Sequence, residues 1–301
     1  MKIAILTSGG DSPGMNAAII NLIVAASKKK NEVLLIRDGF NGLLDNNFIA
    51  LENNVLDYYD YLYRSGSFIG SSRSKRFPNE VSKAVDNLVN YGVNLLVVIG
   101  GNGSYLGAKL IAQKIQVIFI PASIDNDVTF TDYCLGFSSC CNEIVQQTQK
   151  IVSTFKTHQN VVIIEVMGRY CSDLVNCTSQ ALLPAVLINH ETNYKLEEII
   201  TKLKEFYQIH HFAFVLLAEN IYSYSEIETL RAKIEQNLHC AARFNGLGYS
   251  QRGATVDCND LSAANAMANL AINEATTTKD SFAVVKINGN FVKKLFQEIK
   301  D

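Results

Sequence analysis

Short runs of consecutive apolar, largely β-branched residues alternate along the chain with longer stretches in which apolar residues return every three or four positions. The first pair is Ile3–Leu6 and an amphipathic segment near Met15–Ala26 that carries Ala17, Ala18, Leu22 and Ala26, which predicts a strand leading into a helix. Further strands are predicted at Val33–Ile36, Leu95–Ile99, Val117–Ile120, Val161–Glu165, Val186–Ile188 and Phe212–Leu217. Most of these runs are continuously apolar, as expected when helices cover both faces of a parallel sheet. Helical periodicity falls between them at Glu80–Tyr91, Cys140–Phe155, Lys195–Tyr207, Glu226–Leu238 and Ser262–Ala275. Strand and helix in alternation predict an α/β protein.

Composition sets the scale. With 301 residues, 48% of them hydrophobic, the chain can bury one very large core or, more in keeping with domain sizes, two α/β domains. Its 4 prolines and lack of a Gly/Ser-rich linker give no boundary from composition alone, and Thr276–Thr278 reads as a surface loop. Against 29 acidic residues stand 27 basic ones, a net charge of -2, so no general attraction to nucleic acid or an anionic membrane is expected. Anion binding must then be local. Apolar runs such as Phe212–Ala218 are far short of the roughly 20 residues that span a bilayer. The opening apolar stretch is too short for a signal peptide, and a cytoplasmic protein is expected. The 7 cysteines, an odd number without a CxxC pair or zinc spacing, read as reduced thiols used mostly in packing.

Three turns rich in glycine or hydroxyl groups follow or sit near predicted strand ends: Gly9-Gly10-Asp11-Ser12-Pro13-Gly14, Gly70-Ser71-Ser72-Arg73 and Gly100-Gly101-Asn102-Gly103-Ser104. Ligands bind at that edge of an open parallel sheet. Glycine lets backbone N–H groups approach an anion, and a following helix adds its positive end, so the combination points to phosphate. Each turn alone is equally well a simple chain reversal. None has the GxxxxGK[ST] or dinucleotide-binding spacing. Pro121–Asp127 follows another strand, and its Asp125 and Asp127 point to one side if the backbone stays extended, where one can take a proton and the other engage a metal. An Asx-turn or helix cap fits the same residues. Met167-Gly168-Arg169 follows a strand in the same manner, while Arg243 and Gln251-Arg252-Gly253 supply guanidinium forks suited to phosphate.

Taken together, Leu6–Asn16, Val98–Ser104, Ser123–Asp127, Glu165–Tyr170 and Ser250–Gly253 resemble the ATP-dependent 6-phosphofructokinases of the bacterial type, and the resemblance covers nearly the whole chain. It implies two Rossmann-like doubly wound parallel-sheet domains, the phosphofructokinase fold. An ATP-binding domain of residues 1–136 and 252–301 would flank a fructose 6-phosphate-binding domain of residues 137–251, with the active site between them. ATP and Mg2+ are the implied cofactors. The implied assembly is a homotetramer in which a neighbour contributes arginines to the sugar-phosphate pocket.

By matching motif, Asp125 resembles the base that takes the proton of the sugar's 1-hydroxyl, with Asp127 beside it near the metal. Ser123 stands where a threonine is usual and its hydroxyl can contact the transferring group. Gly10 would let the backbone approach that group, and Arg73 would stabilise charge as the bond to ADP breaks. Phe40, Asn102, Gly103, Ser104 and Gly107 join Gly10 and Arg73 as the implied nucleotide side. Met167, Gly168, Arg169, Glu219 and Arg252 match the positions that hold fructose 6-phosphate, and Arg243 would reach its phosphate from an adjacent subunit. Small residues at Gly103 and Ala122, where pyrophosphate-using relatives carry Asp and Lys, favour ATP as donor.

The chain departs from the pattern inside the site. Asn102 replaces the family's metal-linked aspartate and removes a charge that holds magnesium. Asn160 replaces an arginine and Tyr249 a histidine among the sugar-phosphate donors. A hydrogen bond to a charged group contributes about 1.5–3 kcal/mol; at about 1.4 kcal/mol per decade the lost arginine weakens binding by roughly one to two orders of magnitude. Phe40 stands for a tyrosine. Ile20, Val24 and Val152 stand where effector-binding arginines are usual, so the familiar regulation is not expected. Phe291–Asp301 makes a shorter tail than usual. Two functions follow: an active though impaired kinase, or a non-catalytic paralogue that binds ligand or regulates, assembled with an active phosphofructokinase. A lipid or NAD kinase is disfavoured by Gly9–Asn16 and the Asp125 segment.

Overall fold

A computed structural model describes residues 1–51, 55–192 and 194–300. The chain divides into two compact units, Met1–Ser139 with Thr255–Asp301, and Cys140–Ala254. Its early part supplies β1 (Lys2–Ser8), α1 (Met15–Lys28), β2 (Glu32–Ile36), α2 (Gly39–Leu44), β3 (Phe48–Ala50), β4 (Ser71–Ser72), α3 (Val81–Asn90), β5 (Leu95–Gly100), α4 (Asn102–Ala112) and β6 (Gln116–Pro121). Next come α5 (Phe137–Thr157), β7 (Val161–Val166), α6 (Asp173–Leu182), β8 (Val186–Ile188), α7 (Leu196–His210), β9 (Ala213–Ala218), α8 (Tyr224–Leu238) and β10 (Ala242–Gly246). The last stretch adds α9 (Cys258–Ala275), β11 (Phe282–Ile287) and β12 (Asn290–Leu295).

The first unit's sheet runs β12-β11-β6-β5-β1-β2-β3, with β4 added against the end of β1. Alternate residues of one strand enter different cores. Ile3 and Ile5 of β1 join Leu22 and Met267 on one side, whereas Ala4 and Leu6 join Leu88 and Ile111 on the other. Helices on both sides are thus the reason the strand sequences are continuously apolar. The edges depart from a wholly parallel sheet: β3 is antiparallel to β2, and β12 to β11. The β11–β12 pair is a hairpin closed by Asn288-Gly289, both at positive φ (49° and 82°), the chemistry a two-residue loop demands.

The second unit's sheet runs β10-β7-β9-β8, parallel throughout among the described residues. Val161, Ile163, Val215 and Leu217 pack on one side against Ile199 and Leu203 of α7 and Leu230 and Ile234 of α8.

In the first unit, fully buried Asp260 ties α9 to the start of α5. One carboxylate oxygen accepts from Tyr133 Oη (2.6 Å) and Gly136 N (2.7 Å), and the other from Ser139 N (2.9 Å) and Ser139 Oγ (2.5 Å). Those donors satisfy a carboxylate that burial drives toward protonation.

Candidate active site

Strand pairing puts four residues in one row across adjacent strands: Ser72 of β4 pairs with Ser8 of β1, Ser8 with Gly100 of β5, and Gly100 with Pro121 of β6. The chain leaves the sheet after each of them. Arg73, Gly9-Gly10, Gly101-Asn102 and Ala122-Ser123 therefore emerge side by side along the carboxyl edge, the edge at which parallel sheets bind ligands. At about 4.8 Å per strand, Ser72 and Pro121 are about 14 Å apart, a span that extended side chains and a polyphosphate bridge together.

Local contacts hold these turns open. Gly9 N donates to Ser72 O (3.1 Å) and Ser71 Oγ to Gly9 O (3.1 Å), so the first turn and the Arg73 turn brace each other. A side chain at Gly100 would put its Cβ 2.4 Å from both Ser104 Oγ and Ser8 O, which is why glycine stands there. Ser104, buried, donates to Ser8 O (2.9 Å) and so anchors α4 rather than facing solvent. That helix begins at Asn102, exposed, and sets its positive end at the row. Around Gly103 a Cβ would meet nothing within 4 Å.

On the β6 side the chain turns sharply, with Asn126 at φ 53° and its Oδ1 accepting from Cys134 N (2.8 Å). Asp125 N donates to Ser123 Oγ (3.3 Å), and Ser123 Oγ donates to Asp127 Oδ1 (3.2 Å). Asn102 Nδ2 donates to both the main-chain oxygen (3.0 Å) and Oδ2 (3.1 Å) of Asp127. Gly10, Arg73, Asn102, Ser123, Asp125 and Asp127 thus share one edge. Phe40 and Gly107 sit elsewhere: the Phe40 ring is 4% exposed, stacks on Phe77 with ring centroids 4.1 Å apart, and fills the space a side chain at Gly107 would need. Both serve the core beneath the edge in this structure. Ala122, 1% exposed, likewise turns its methyl into the core, so open space for a bulkier donor is seen at Gly103 alone of that pair.

The second unit has its own edge cluster. Gly168 at φ 145° and Arg169 at φ 58° make a strained turn after β7, held by Glu219 Oε1, which accepts from Gly168 N (3.1 Å) and from Arg169 N. Asn220 Nδ2 donates to Arg169 O (3.0 Å). Gln251, fully buried, accepts from Met167 N (3.2 Å) and donates to Gly248 O (2.9 Å), tying the Tyr249–Arg252 turn to the same loop. Gln251 is a positioning residue that motif reading quotes without assigning a role. Burial, and then the Glu219 charge, raise the Glu165 carboxyl above its ordinary range.

Asn160 and Arg243 are placed differently. Asn160 Oδ1 accepts from Ala241 N (3.1 Å) just before β7, and Arg243, paired with Val162, turns its guanidinium to Ala242 O (2.9 Å) and Glu235 (3.4 Å). They lie at the amino end of the sheet, about 20 Å of strand from Met167 at about 3.3 Å per residue. One chain does not bring them to the Met167–Arg169 loop.

Against known proteins, the family model described as Phosphofructokinase matches residues 2–275. The chain belongs to the phosphofructokinase family. It is 37% identical over 275 residues to the ATP-dependent 6-phosphofructokinase of Serratia proteamaculans, covering 90% of this chain and 84% of that one. With the probable ATP-dependent 6-phosphofructokinase of Mycoplasma genitalium it shares 36% over 285 residues, 92% and 88% of the two chains. Among solved structures, phosphofructokinase from Saccharomyces cerevisiae superposes with a TM-score of 0.91 at 24% identity, over 99% of this chain and 45% of that one, so this chain spans under half of the yeast chain. Pyrophosphate-dependent phosphofructokinase from Marinobacter aquaeolei gives 0.86 at 22% identity, over 98% and 81%. These two show the phosphofructokinase fold.

Among the described residues no three His, Cys, Asp or Glu side chains converge as a ready metal cage, and no helix is long and apolar enough to cross a membrane. Magnesium in phosphate-handling sites needs only one or two carboxylates, the rest of its shell being phosphate and water. Asp127, with the Asn102 amide against it, fits that donor set.

Proposed function

We propose that this chain is an ATP-dependent 6-phosphofructokinase, carrying a phosphoryl group from ATP to the 1-hydroxyl of fructose 6-phosphate in glycolysis. The row Ser72, Ser8, Gly100, Pro121 carries the reading, because it sends Arg73, the Gly10 turn, the α4 amino end and Asp125 out of one sheet edge. Asp125 takes the hydroxyl proton as the sugar oxygen attacks. Arg73 and the α4 N–H groups offset the charge that grows on the departing phosphate. Bound magnesium would be held by Asp127, with the Asn102 amide turned to bring its oxygen rather than its nitrogen to the ion, and would neutralise phosphate charge. Residues 1–136 and 252–301 serve as the nucleotide domain and residues 137–251 as the sugar-phosphate domain.

In that second domain Met167, Gly168, Arg169, Glu219, Tyr249 and Arg252 take the sugar phosphate. The distance of Asn160 and Arg243 from that loop supports their serving a neighbour's pocket, hence a homotetramer. The ATP-dependent relatives support a nucleotide donor and a cytoplasmic enzyme.

A coupled assay on homogeneous protein with ATP, fructose 6-phosphate and millimolar magnesium tests this. Turnover is expected, falling by about 10²–10⁴-fold in Asp125→Ser, the usual contribution of a general base. Lack of turnover alone, with activity gained only on mixing with an active homologue, would replace the proposal by a non-catalytic partner in a heteromer.

A further inference from the structure

The β11–β12 hairpin lies beyond the residues matched by the family model, which end at 275, yet it is bonded to the loop that carries Asp125. That loop leaves β6 after Pro121 and comes back to it at Leu135: Leu135 N donates to Pro121 O (3.0 Å) and Ser123 N to Leu135 O (3.1 Å). Both ends are thereby fixed at β6. The far side is fastened to β11 instead. Thr131 Oγ1 accepts from Lys286 N (3.0 Å), Asp132 N donates to Lys286 O (2.8 Å), and Asp132 Oδ2 accepts from Asn288 N (2.7 Å). The Lys286 ammonium adds a cation–π contact, 5.0 Å from the centroid of the Tyr133 ring.

The fastening reaches Asp125 through the next residue. Asn126 stands at φ 53°, its Nδ2 donating to Asp132 O (3.5 Å) and its Oδ1 accepting from Cys134 N (2.8 Å). A non-glycine residue keeps such a backbone only where its surroundings hold it, and here the holding groups belong to the segment that β11 fixes. We propose that Thr131 and Asp132 are positioning residues for Asp125, setting the direction of its carboxylate by tying the loop to the β11–β12 hairpin. The inference rests on Asp125 being the base of the proposed kinase. A base must lie within hydrogen-bond reach of the proton it takes, and a misplacement of about 1 Å can cost about 10²-fold in rate. Neither Thr131 nor Asp132 touches substrate in this role, so loosening the tie acts on kcat and leaves KM alone.

Paired variants of the full-length protein test the tie. Thr131→Val keeps the shape and removes the acceptor of Lys286 N, whereas Thr131→Ser keeps it; Asp132→Ala removes the acceptor of Asn288 N, whereas Asp132→Asn still offers an oxygen. Steady-state kinetics should show kcat falling about tenfold or more in Thr131→Val and Asp132→Ala, with most of it kept in the two conservative variants. KM for ATP and for fructose 6-phosphate should stay within about twofold throughout. Deuterium exchange read by mass spectrometry should rise in peptides covering 123–135 and 282–290 of the two disruptive variants while β1 and β5 stay protected. Unchanged kcat in Thr131→Val and Asp132→Ala, or an equal fall in the conservative variants, overturns this inference and leaves the kinase reading standing. Wild-type protein without turnover overturns that reading, and the positioning role with it.

Discussion

Replacing Asn102 by aspartate restores the charge seen in the family's motif, yet the structure predicts that it destabilises the protein until a cation is supplied. The Asn102 amide now donates to Asp127 at 3.0 and 3.1 Å. A carboxylate has no such donor and faces the Asp127 charge at the same separation. Two unit charges at about 3 Å repel by about 1 kcal/mol if screened as in water and by about 5 kcal/mol at the dielectric of a protein surface. Asn102 is exposed and able to swing away, so the lower end applies, and the lost hydrogen bonds add about 1 kcal/mol. A total of about 2 kcal/mol lowers Tm by about 4–8 °C in a unit of this size. Magnesium reverses the sign, since both carboxylates can then be ligands and binding to the folded state stabilises it by mass action. Thermal denaturation of wild type and Asn102→Asp, each with and without millimolar magnesium, measures both effects. Equal Tm values, unmoved by magnesium in either protein, would refute the placement of Asn102 against Asp127 at a cation site.

Other expectations rest on separate contacts. Asp260→Asn turns an amide nitrogen toward donors that now have a carboxylate oxygen, so urea denaturation should show a loss of about 3 kcal/mol, in the range for breaking a buried charged network. Glu165, raised by burial and by Glu219, binds its proton more tightly folded than unfolded. Its stabilising effect is therefore complete below its ordinary range and lost as pH rises from there through the raised value; Glu165→Gln should flatten the fall in stability over that window. Gln251→Ala removes the acceptor of Met167 N and should raise the KM for fructose 6-phosphate about tenfold with a smaller change in kcat, whereas an unchanged KM would separate that turn from sugar binding. Arg73→Ala should cost about 10²-fold or more in kcat with little change in the sugar's KM, as expected of a group that meets charge formed in the transition state.

What the sequence made legible follows from how far each signal reaches along the chain. The long strands β1, β5, β6, β7 and β9 are readable because burial of successive residues leaves each a continuous apolar run, and helices such as α7 and α8 because their buried faces repeat. β4 was not, since a two-residue strand has no period and exists only through pairing with β1. α4 begins Asn-Gly-Ser, residues that read as a turn, and α6 runs through Asn176, Thr178, Ser179 and Gln180, which interrupt its apolar repeat. The β11–β12 hairpin carries its signal in the Asn288-Gly289 loop, a two-residue feature that apolar periodicity does not contain.

The site shows the same division between what one position says and what a neighbour in space decides. Gly10, Arg73, Asn102 and Asp125 come from four separate turns, and only the strand register places those turns in one row. Phe40 reads as a nucleotide contact by its position in the chain, but Phe77 and the missing side chain at Gly107 draw its ring into the core. Asn102 reads as a lost charge. Its partner changes the meaning: an amide can donate to Asp127 where an aspartate cannot, so the substitution exchanges repulsion between two carboxylates for a hydrogen bond, and the folded protein no longer depends on a cation to hold that turn together. Under the proposed mechanism the consequence for catalysis falls on phosphate charge, which Arg73 and the α4 amino end would then meet to a greater degree than in a site with both carboxylates.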